Sequence, residues 1–532
     1  VGESFRVSRV DAGIIYTCRP LRETFTTNIR VARYQRLDCI IEDLWCEDHP
    51  DAPISRNASM IQMLGIHKPT LIRPKIINAR AAALRFMSCF EPCTMLARFE
   101  NLRTSAAYEA YGYGIWEEGC CDGLHVNPRG SRLRHLFTTA AINGLTNNDA
   151  RFNRYGGCIG ATVIGGVATE TEHSGFDTHA DALDVTFKGC EVINAYRGEQ
   201  GSLYAYKVRG RRILLQDCSS TGPGAVYLQA QEGGGDFEVV GHVHRTPKGW
   251  GASQVFGGAN YGSGQARAFI SARVVTEEHV GTFAGWTGFA IKGRFDVRWD
   301  IASTGNPRLF DLVNSSLDLS DLNIELTGSP SGTVLAGAYF NDAASLYRVS
   351  RMIMRANGKA FYYANYSPTS PGPGGFAASA IIARMETDLA PFGTSAGVIN
   401  AGASSIYAAN VIVNNGAGAQ PSSFVVNLTV SYPQTVSLRG RGEDQIVLSL
   451  RANSETVATR DLSIGFPPVR VGQRLILLGQ PVGISANQKP VTIKAGTYLP
   501  IAADLVVNAG EAVSLVSVQD SSLATPLYWA RG

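Results

Sequence analysis

Apolar and polar residues alternate in short runs that recur between about residue 37 and residue 415. Clear examples are residues 158–163, 185–192 and 213–218, and similar runs continue to residues 406–411. Successive side chains of a strand point to opposite faces, so alternation with a period of two indicates strands that bury one face. The 3.6-residue period of a helix does not persist in this region. The pattern therefore predicts an all-β protein.

The spacing of these runs favours one architecture. Neighbouring runs are offset by roughly 22 to 28 residues, with Gly- and Asn-containing turns and no helices between them. This spacing is typical of a right-handed parallel β-helix, in which each coil stacks on the preceding one. An offset of 28 residues places Cys190 directly beneath Cys218, as one internal ladder of small side chains. A β-propeller is the alternative, but its blades need four strands in about 40 residues at a steadier spacing.

Changes in composition divide the chain into three parts. Residues 1–36, rich in Arg and Thr, are predicted to form an N-terminal cap or neck, and residues 37–420 are predicted to form the β-helix. A stretch of small residues precedes Pro421, and we place the second boundary between residues 420 and 421. Residues 421–532 contain short alternating runs between turns, which predicts an antiparallel, sandwich-like β domain for capping or trimerisation. Such covers are needed because the ends of a β-helix expose unpaired strand edges.

Composition and charge narrow the range of partners. Hydrophobic residues make up 45% of the 532 residues, so the chain can bury a large core. The net charge of +3 is close to neutral, and no nucleic-acid partner is predicted because phosphate binding needs concentrated cations. No apolar run reaches the ~20 residues that cross a bilayer, so membrane insertion is not predicted either. The ten cysteines all lie within the first 218 residues and are interpreted as reduced, mostly buried thiols.

Three stacked strands between residues 176 and 231 hold the most informative side chains. Offsets of 28 and then 24 residues align His179 with Lys207 and Gln231, and place Asp181 beside Arg209. In this register one face is largely apolar and suits the interior, whereas the other face is polar and forms a shallow groove. The groove contains Asp177, His179, Asp181, Lys207, Arg209, Gln229 and Gln231, and Glu232 marks the start of the following turn. An error of one residue in the alignment would exchange the two faces.

The polar face contains the groups that β-elimination at a uronic acid requires. Lys207 beside His179 disfavours the imidazolium ion and leaves a neutral base, which Asp177 is placed to orient. Arg209 is placed to neutralise a sugar carboxylate with two hydrogen bonds. The predicted catalytic residues are therefore His179, Lys207, Asp177 and Arg209, and the predicted substrate-binding residues are Asp181, Gln229, Gln231 and Glu232.

Hydrolysis of the glycosidic bond is the other reaction to consider. It needs two carboxyl groups either ~5 to 5.5 Å or ~6.5 to 9.5 Å apart. Asp177 and Asp181 would be about 13 Å apart by strand rise, so they fit neither geometry well. The carboxylates that a hydrolase could recruit from turns are Glu172, Glu199, Glu232 and Asp236. A purely structural role, in which Asp181 and Arg209 pair only to hold the strand register, is the third possibility.

The predicted coils, together with three short segments, resemble the pectate-lyase-like β-helix of bacteriophage tailspikes. The segments are residues 177–180 (DTHA), 184–190 (DVTFKGC) and 207–210 (KVRG), and residues 528–532 (YWARG) resemble the end of a phage tail protein. The resemblance implies a homotrimeric rod on the virion tail, assembled in the host cytoplasm and acting outside the cell. It implies binding and cleavage of O-antigen or capsule, and attachment to the baseplate or tail through a domain upstream of these residues.

Two further classes of protein stay open at this point. One is a rod that binds polysaccharide without cleaving it, and the other is a secreted bacterial polysaccharide lyase with a signal peptide in its full-length gene. No metal or cofactor is predicted, because no loop has the spacing of a calcium motif and the glycine run 233–235 does not precede a helix.

Overall fold

The computed structural model describes the coils most fully between residues 39 and 355, with shorter segments on either side. The described residues are 7–17, 21, 39–54, 59–140, 157–194, 204–231, 235–250, 254–279, 281–301, 308–328, 335–340, 345–355, 379–382, 385–387, 406–408, 411–413, 423–430, 434–436, 445–452, 461–464, 474–479, 491–494, 499, 504–508, 511–519 and 527–531.

Every regular element in the described residues is a β-strand, apart from one short 3-10 helix at Ala106–Tyr108. The predicted all-β class is therefore confirmed. In this part of the chain no helix has the length and apolarity needed to cross a membrane. The chain divides into two compact units, Val1–Val274 and Val275–Gly532, and the division falls within the strand Ala266–His279.

In the first unit, one parallel sheet receives a single strand from each coil. We call it the site sheet, and its strands pair in chain order. They are Ile61–Leu64, Leu84–Met87, Tyr113–Glu118, His135–Ala140, Phe176–Asp177, Tyr204–Arg209, Gly224–Ala230 and Phe256–Asn260.

A second parallel sheet of this unit receives two short strands from each coil, so we call it the double sheet. The first strands are Ile40–Glu42, Thr70–Ile72, Cys93–Met95, Leu124–Val126, Thr162–Ile164, Thr186–Lys188 and Ile213–Gln216. The second strands are Trp45–Glu47, Lys75–Ile77, Arg98–Glu100, Arg129–Ser131, Val167–Thr169, Glu191–Ile193 and Ser219–Thr221. Both series end on the long strand Asp236–Thr246, which pairs with Ile213–Gln216 and with Ser219–Thr221. Each coil thus lies parallel to the next, which confirms the predicted parallel β-helix.

Each coil also has a third side, between its site-sheet strand and its first double-sheet strand, where single residues of successive coils pair. The parallel bridges join His67, Phe90, Cys121, Ile159, Leu183 and Arg211 in chain order. An antiparallel hairpin, Val7–Asp11 with Ile14–Thr17, lies near the N-terminus.

The second unit also begins with parallel coils. One series of paired strands is Ala284–Thr287, Arg308–Val313 and Leu335–Phe340. The other is Phe289–Ile301, Ser316–Gly328 and Leu346–Arg355, followed by Ser379–Ile382, Met385–Thr387, Ile406–Ala408 and Val411–Val413.

Antiparallel pairing is found in the last strands of the second unit, as predicted for the C-terminal part. One sheet contains Ser423–Val430, Gln445–Ala452, Arg474–Gly479, Ala512–Gln519 and Leu527–Arg531, and the other contains Gln434–Val436, Asp461–Ile464, Val491–Lys494 and Leu505–Val507. In each sheet the first three strands are parallel and only the later ones are antiparallel. The early strands alternate between the two sheets along the chain, and this coil-like path brings sheet neighbours together in parallel. The predicted boundaries after residues 36 and 420 lie outside the described residues and remain predictions.

Aromatic side chains fill the interior between the site sheet and the double sheet. Phe176 stacks on Tyr206 with ring centroids 5.3 Å apart, and Phe187 meets Phe137 and Phe176 edge-on at 5.8 and 5.4 Å. All four rings are fully buried. Such pairs add to the burial of apolar area and hold one coil in place on the next.

The interior cysteine ladder is confirmed. Glu191 pairs with Ser219, and the Ser219 N–H donates to the carbonyl oxygen of Cys190 at 2.9 Å, so Cys190 and Cys218 lie on successive coils. Both thiols are buried. The nine cysteines among the described residues are free thiols, seven of them buried; Cys18 lies outside the described residues.

We expect Phe187→Ala to lower the free energy of unfolding by about 3–5 kcal/mol, because it leaves a cavity among three aromatic rings. The exposed neighbour Lys188 provides the matched control, and Lys188→Ala should change stability by less than about 0.5 kcal/mol. Urea unfolding followed by tyrosine and tryptophan fluorescence measures both. Equal effects of the two substitutions would contradict this account of the interior.

Candidate functional site

A continuous row of side chains crosses the outer face of the site sheet. Strand pairing places Trp116, Thr138, Asp177, Lys207 and Tyr227 side by side on five successive coils. Adjacent strands are about 4.8 Å apart, so neighbouring members of this outer row are within reach of one another. The residues that alternate with them, such as Phe176 and Tyr206, are the interior rings. The predicted assignment of the two faces is therefore correct.

The predicted alignment along the helix axis is wrong. Asp177 pairs with Lys207, and Lys207 pairs with Tyr227, so the offsets are 30 and 20 residues (207 − 177 and 227 − 207) instead of 28 and 24. The 28-residue offset does hold on the double sheet, where Thr186 pairs with Leu214. Connections of different length separate the two sheets, so an offset taken from one sheet does not apply to the other. Both errors are even numbers of residues, which is why the faces were nevertheless assigned correctly.

Asp177 occupies the centre of the site and is almost fully buried, with 2% of its side chain exposed. Its Oδ2 accepts a hydrogen bond from Arg209 Nη2 at 2.6 Å and another from Thr138 Oγ1 at 3.3 Å. His179 Nε2 lies 3.5 Å and His135 Nε2 lies 3.9 Å from the same oxygen. The other carboxylate oxygen, Oδ1, is buried and has no hydrogen-bond partner among the described residues. One oxygen of the carboxylate thus organises the cluster while the second one is left unused.

Arg209 is fixed by three hydrogen bonds to the preceding coil in addition to its ion pair. Its Nε donates to the carbonyl oxygen of Thr178 at 2.6 Å, its backbone N–H donates to Thr178 Oγ1, and that hydroxyl donates to the Arg209 carbonyl oxygen. We call this reciprocal set the Thr178–Arg209 clasp. The ion pair of Arg209 is therefore with Asp177 and not with Asp181, which is exposed.

Two of the remaining predicted binding residues, Gln229 and Gln231, lie on the coil that follows Lys207 and Arg209. Gln229 pairs with Arg209 on the next coil and is half-buried. Gln231 follows the end of that strand, and Glu232 lies outside the described residues. Their roles in binding remain predictions.

The surroundings of Asp177 favour uncharged imidazoles near neutral pH. Burial lowers the pKa of His179 to about 4, against the opposing effect of Asp177. The His179 side chain nevertheless keeps 40% of its surface exposed. Burial also lowers the pKa of His135 well below its ordinary value. Burial and the adjacent Arg209 lower the pKa of Lys207.

The structure adds residues that the sequence pattern did not reveal. Tyr113 stacks on His135 with ring centroids 5.2 Å apart and on Tyr111 at 5.7 Å, and the guanidinium of Arg134 lies 4.4 Å over the Tyr111 ring. His135 begins the strand His135–Ala140, all six residues of which are buried. A strand buried on both faces has no alternation that would mark an outward-facing residue, so its contribution was not apparent.

A second polar chain lies inside the coils. Thr94 Oγ1 is 2.9 Å from His125 Nδ1, and His125 Nε2 is 2.8 Å from Glu117 Oε1. The order of hydroxyl, imidazole and carboxylate is that of a nucleophilic site, but all three side chains are fully buried. Since no substrate can reach them, we interpret this chain as part of the core.

Within the described part of the chain, no three His, Cys, Asp or Glu side chains are grouped so as to hold a metal ion.

No protein-family model matches the chain. Among solved structures it is similar to the tailspike protein gp49 from Pseudomonas phage LKA1, with 12% identity, a TM-score of 0.35, and coverage of 90% of this chain and 65% of that one. It is also similar to the Gp54 tailspike of Acinetobacter baumannii bacteriophage AP22, solved in complex with A. baumannii capsular saccharide, with 11% identity, a TM-score of 0.28, and coverage of 85% and 60%. The chain thus spans less than two thirds of the length of either tailspike. We transfer no residue roles from them, and the fold assignment rests on the strand pairing above.

Stability should fall as the pH is lowered from 7.5 to 5.5. Burial lowers the pKa of His135 strongly and those of His173 and His242 to about 3, whereas in the unfolded chain each titrates near 6.5. Protons therefore bind the unfolded state first, and each histidine costs roughly 1.4 kcal/mol per pH unit below 6.5. Urea unfolding midpoints at pH 7.5, 6.5 and 5.5 measure the slope, which His242→Asn should reduce. A stability that is constant or rises on acidification would contradict the buried neutral state of these rings.

Arg209→Ala should destabilise the protein by about 3–5 kcal/mol, because Asp177 would remain buried without its cation. The double variant Asp177→Asn/Arg209→Ala should recover part of this loss. Arg212→Ala is the matched control, since Arg212 pairs with Asp184 at 2.6 Å on an exposed corner and should contribute less than about 1 kcal/mol. Thermal unfolding of the four proteins compares them. A double variant no more stable than Arg209→Ala would show that the buried charge is not the cause.

Proposed function

We propose that this chain is a phage tailspike that binds and depolymerises a bacterial surface polysaccharide, an O-antigen or a capsule, by β-elimination. The observation that carries the proposal is the cluster around Asp177, in which an uncharged, partly exposed imidazole lies beside lysine and arginine on the outer face of a β-helix. This combination supplies a base, a proton donor and positive charge on adjacent coils. Hydrolysis, and binding without cleavage, are the alternatives.

The residues support each step of an elimination. His179 Nε2 lies 3.5 Å from Asp177 Oδ2, and in the tautomer that carries its proton on Nε2 the bare Nδ1 takes the proton from the carbon next to the sugar carboxylate. The electron pair of that C–H bond forms a carbon–carbon double bond as the glycosidic C–O bond breaks. The Lys207 ammonium lies on the strand next to Asp177 and is placed to protonate the departing oxygen. The cations of the cluster stabilise the charge that develops on the sugar carboxylate.

Hydrolysis is less well supported by the same cluster. It needs two carboxyl groups on opposite sides of the scissile bond. Asp177 is buried and bound to Arg209, and Asp181 is exposed at the edge. The unused Oδ1 of Asp177 is the one observation that favours a hydrolase, because it could act on a water molecule or a sugar.

The broader setting belongs to the same proposal. A homotrimer, attachment to the phage tail through an upstream domain, and a three-part chain divided after residues 36 and 420 are what the resemblance and the composition imply. We adopt them as the working description of a protein that assembles in the host cytoplasm and acts outside the cell.

The purified protein should shorten at least one lipopolysaccharide or capsule from a panel of Gram-negative strains, with new ultraviolet absorbance from the unsaturated sugar. His179→Ala and Lys207→Ala should each lower the rate by roughly 10²- to 10⁴-fold, because each removes a proton-transfer group. Lys188→Ala, on the double sheet, is the control. Gel electrophoresis and absorbance measure chain length and elimination together.

Two other outcomes would favour the alternative functions, and a third would exclude His179. Shortened chains without new absorbance would indicate a hydrolase and transfer the catalytic role to the carboxylates. Binding without shortening across the panel would indicate a non-catalytic rod, and full activity of His179→Ala would exclude His179 as the base.

A further inference from the structure

Arg134 carries a guanidinium for which the described residues provide no anionic partner. No ion pair and no side-chain hydrogen bond of Arg134 occurs among them, and its Nε is buried without an acceptor. Its backbone N–H is used, since it donates to the carbonyl oxygen of Gly112 at 2.8 Å. A half-buried guanidinium with no acceptor among the described residues loses hydration that the Tyr111 ring, 4.4 Å away, replaces only in part, so a bound anion would be stabilised there.

The position of this guanidinium is set by aromatic rings that lead to the candidate site. Arg134 lies over Tyr111, Tyr111 stacks on Tyr113, and Tyr113 stacks on His135. His135 in turn is 3.9 Å from the carboxylate of Asp177. Burial is the main cause of the lowered pKa of His179 and of Lys207, and the positive charge of Arg134 acts in the same direction but less than that of Arg209. Arg134 is thus at the edge of the Asp177 cluster without being part of its internal hydrogen bonds.

Arg209, to which the sequence assigned the sugar carboxylate, is occupied in the structure. Its Nη2 is bound to Asp177, and its Nε is bound to the Thr178 carbonyl oxygen. Asp177 also compensates its charge. No acceptor among the described residues is bound to the Arg134 guanidinium, so its two terminal nitrogens can donate parallel hydrogen bonds to a carboxylate while the Tyr111 ring lies against it.

Resting on the proposed function, we infer that Arg134 is the specificity-determining residue that binds the carboxylate of an acidic sugar, and that the polysaccharide is therefore one with uronic acid residues. The carboxylate would add a second negative charge to a site where Arg209 is paired with Asp177, Lys207 lies on the strand beside Asp177, and Arg134 lies at the edge of the cluster. Neutral polysaccharides would lack the group that Arg134 is placed to receive.

The test is equilibrium binding to acidic polysaccharides of the panel and to the same preparations after chemical reduction of their carboxyl groups to alcohols. It is carried out in the His179→Ala background, so that the chains remain intact. Carboxyl reduction should weaken binding by roughly 10- to 100-fold, the usual effect of losing a charge-assisted hydrogen-bonded pair. With Arg134→Gln added, intact chains should bind as weakly as reduced ones, and carboxyl reduction should have little further effect. Arg134→Lys keeps the positive charge but cannot donate two parallel hydrogen bonds to one carboxylate. Its discrimination between intact and carboxyl-reduced chains should therefore be intermediate.

Arg132→Gln is the matched control, because Arg132 is an exposed neighbour already paired with Glu100 at 2.8 Å. Arg132→Gln should leave the difference in binding between intact and carboxyl-reduced chains unchanged. If Arg134→Gln does not fold, Tyr111→Leu removes the ring beneath the guanidinium and should reduce the same discrimination.

Equal binding of intact and reduced chains by the parent protein, a preference for neutral polysaccharides, or no binding to any acidic member would overturn the inference. Continued discrimination between intact and carboxyl-reduced chains by Arg134→Gln would also overturn the inference. Carboxylate-dependent binding without cleavage by the wild-type protein would leave the inference standing and refute the proposed depolymerase activity, so the two failures are distinguishable.

Discussion

The ion pair between Asp177 and Arg209 joins two adjacent coils, and the arrangement of the outer row depends on it. Burying a carboxylate is costly unless a cation and hydrogen bonds compensate it, and Arg209 supplies both at 2.6 Å. The Arg209 side chain is also held by its Nε hydrogen bond to the Thr178 carbonyl oxygen, so the cation cannot turn to solvent without breaking that bond as well as the ion pair. Two more hydrogen bonds join the Arg209 backbone to the Thr178 hydroxyl. One buried carboxylate therefore pairs with Arg209 and lies 3.5 Å from His179 Nε2, with Lys207 on the strand beside it.

The geometry of a parallel coil explains why so few residues are needed to build this surface. Five successive strands of the site sheet each contribute one residue to the outer row, and the sheet spacing brings neighbours together without any loop having to be positioned. The interior rings of Phe176 and Tyr206, one residue away along each strand, hold the backbone beneath the row. Packing and chemistry are thus on opposite faces of the same strands, so substitutions on one face need not disturb the other.

The sequence was sufficient to predict the fold class and the faces, because both follow from alternation within a strand. The stacking of Cys190 on Cys218 was also predictable, since both lie on the double sheet, where the 28-residue offset applies. The pairing of Asp177 with Lys207 was not, because it depends on the lengths of connections between sheets, which alternation does not reveal. The sequence pattern does not reveal His135 and Arg134 for another reason. His135 begins a strand whose residues are all buried, Arg134 directly precedes it, and both are linked to the site through ring stacking between coils.

The order of the coils has a consequence for the synthesis of the chain. All members of the outer row lie between residues 116 and 227, and each pairs with a strand that is earlier in the sequence. As translation proceeds from the N-terminus, each new coil finds the edge of the previous one already formed and covers it. The growing chain therefore needs only the strand edge of its most recent coil as a template for the next coil. Translation supplies the strands in the order in which they stack. The surface that we propose binds the polysaccharide can be completed while the C-terminal strands have yet to be made.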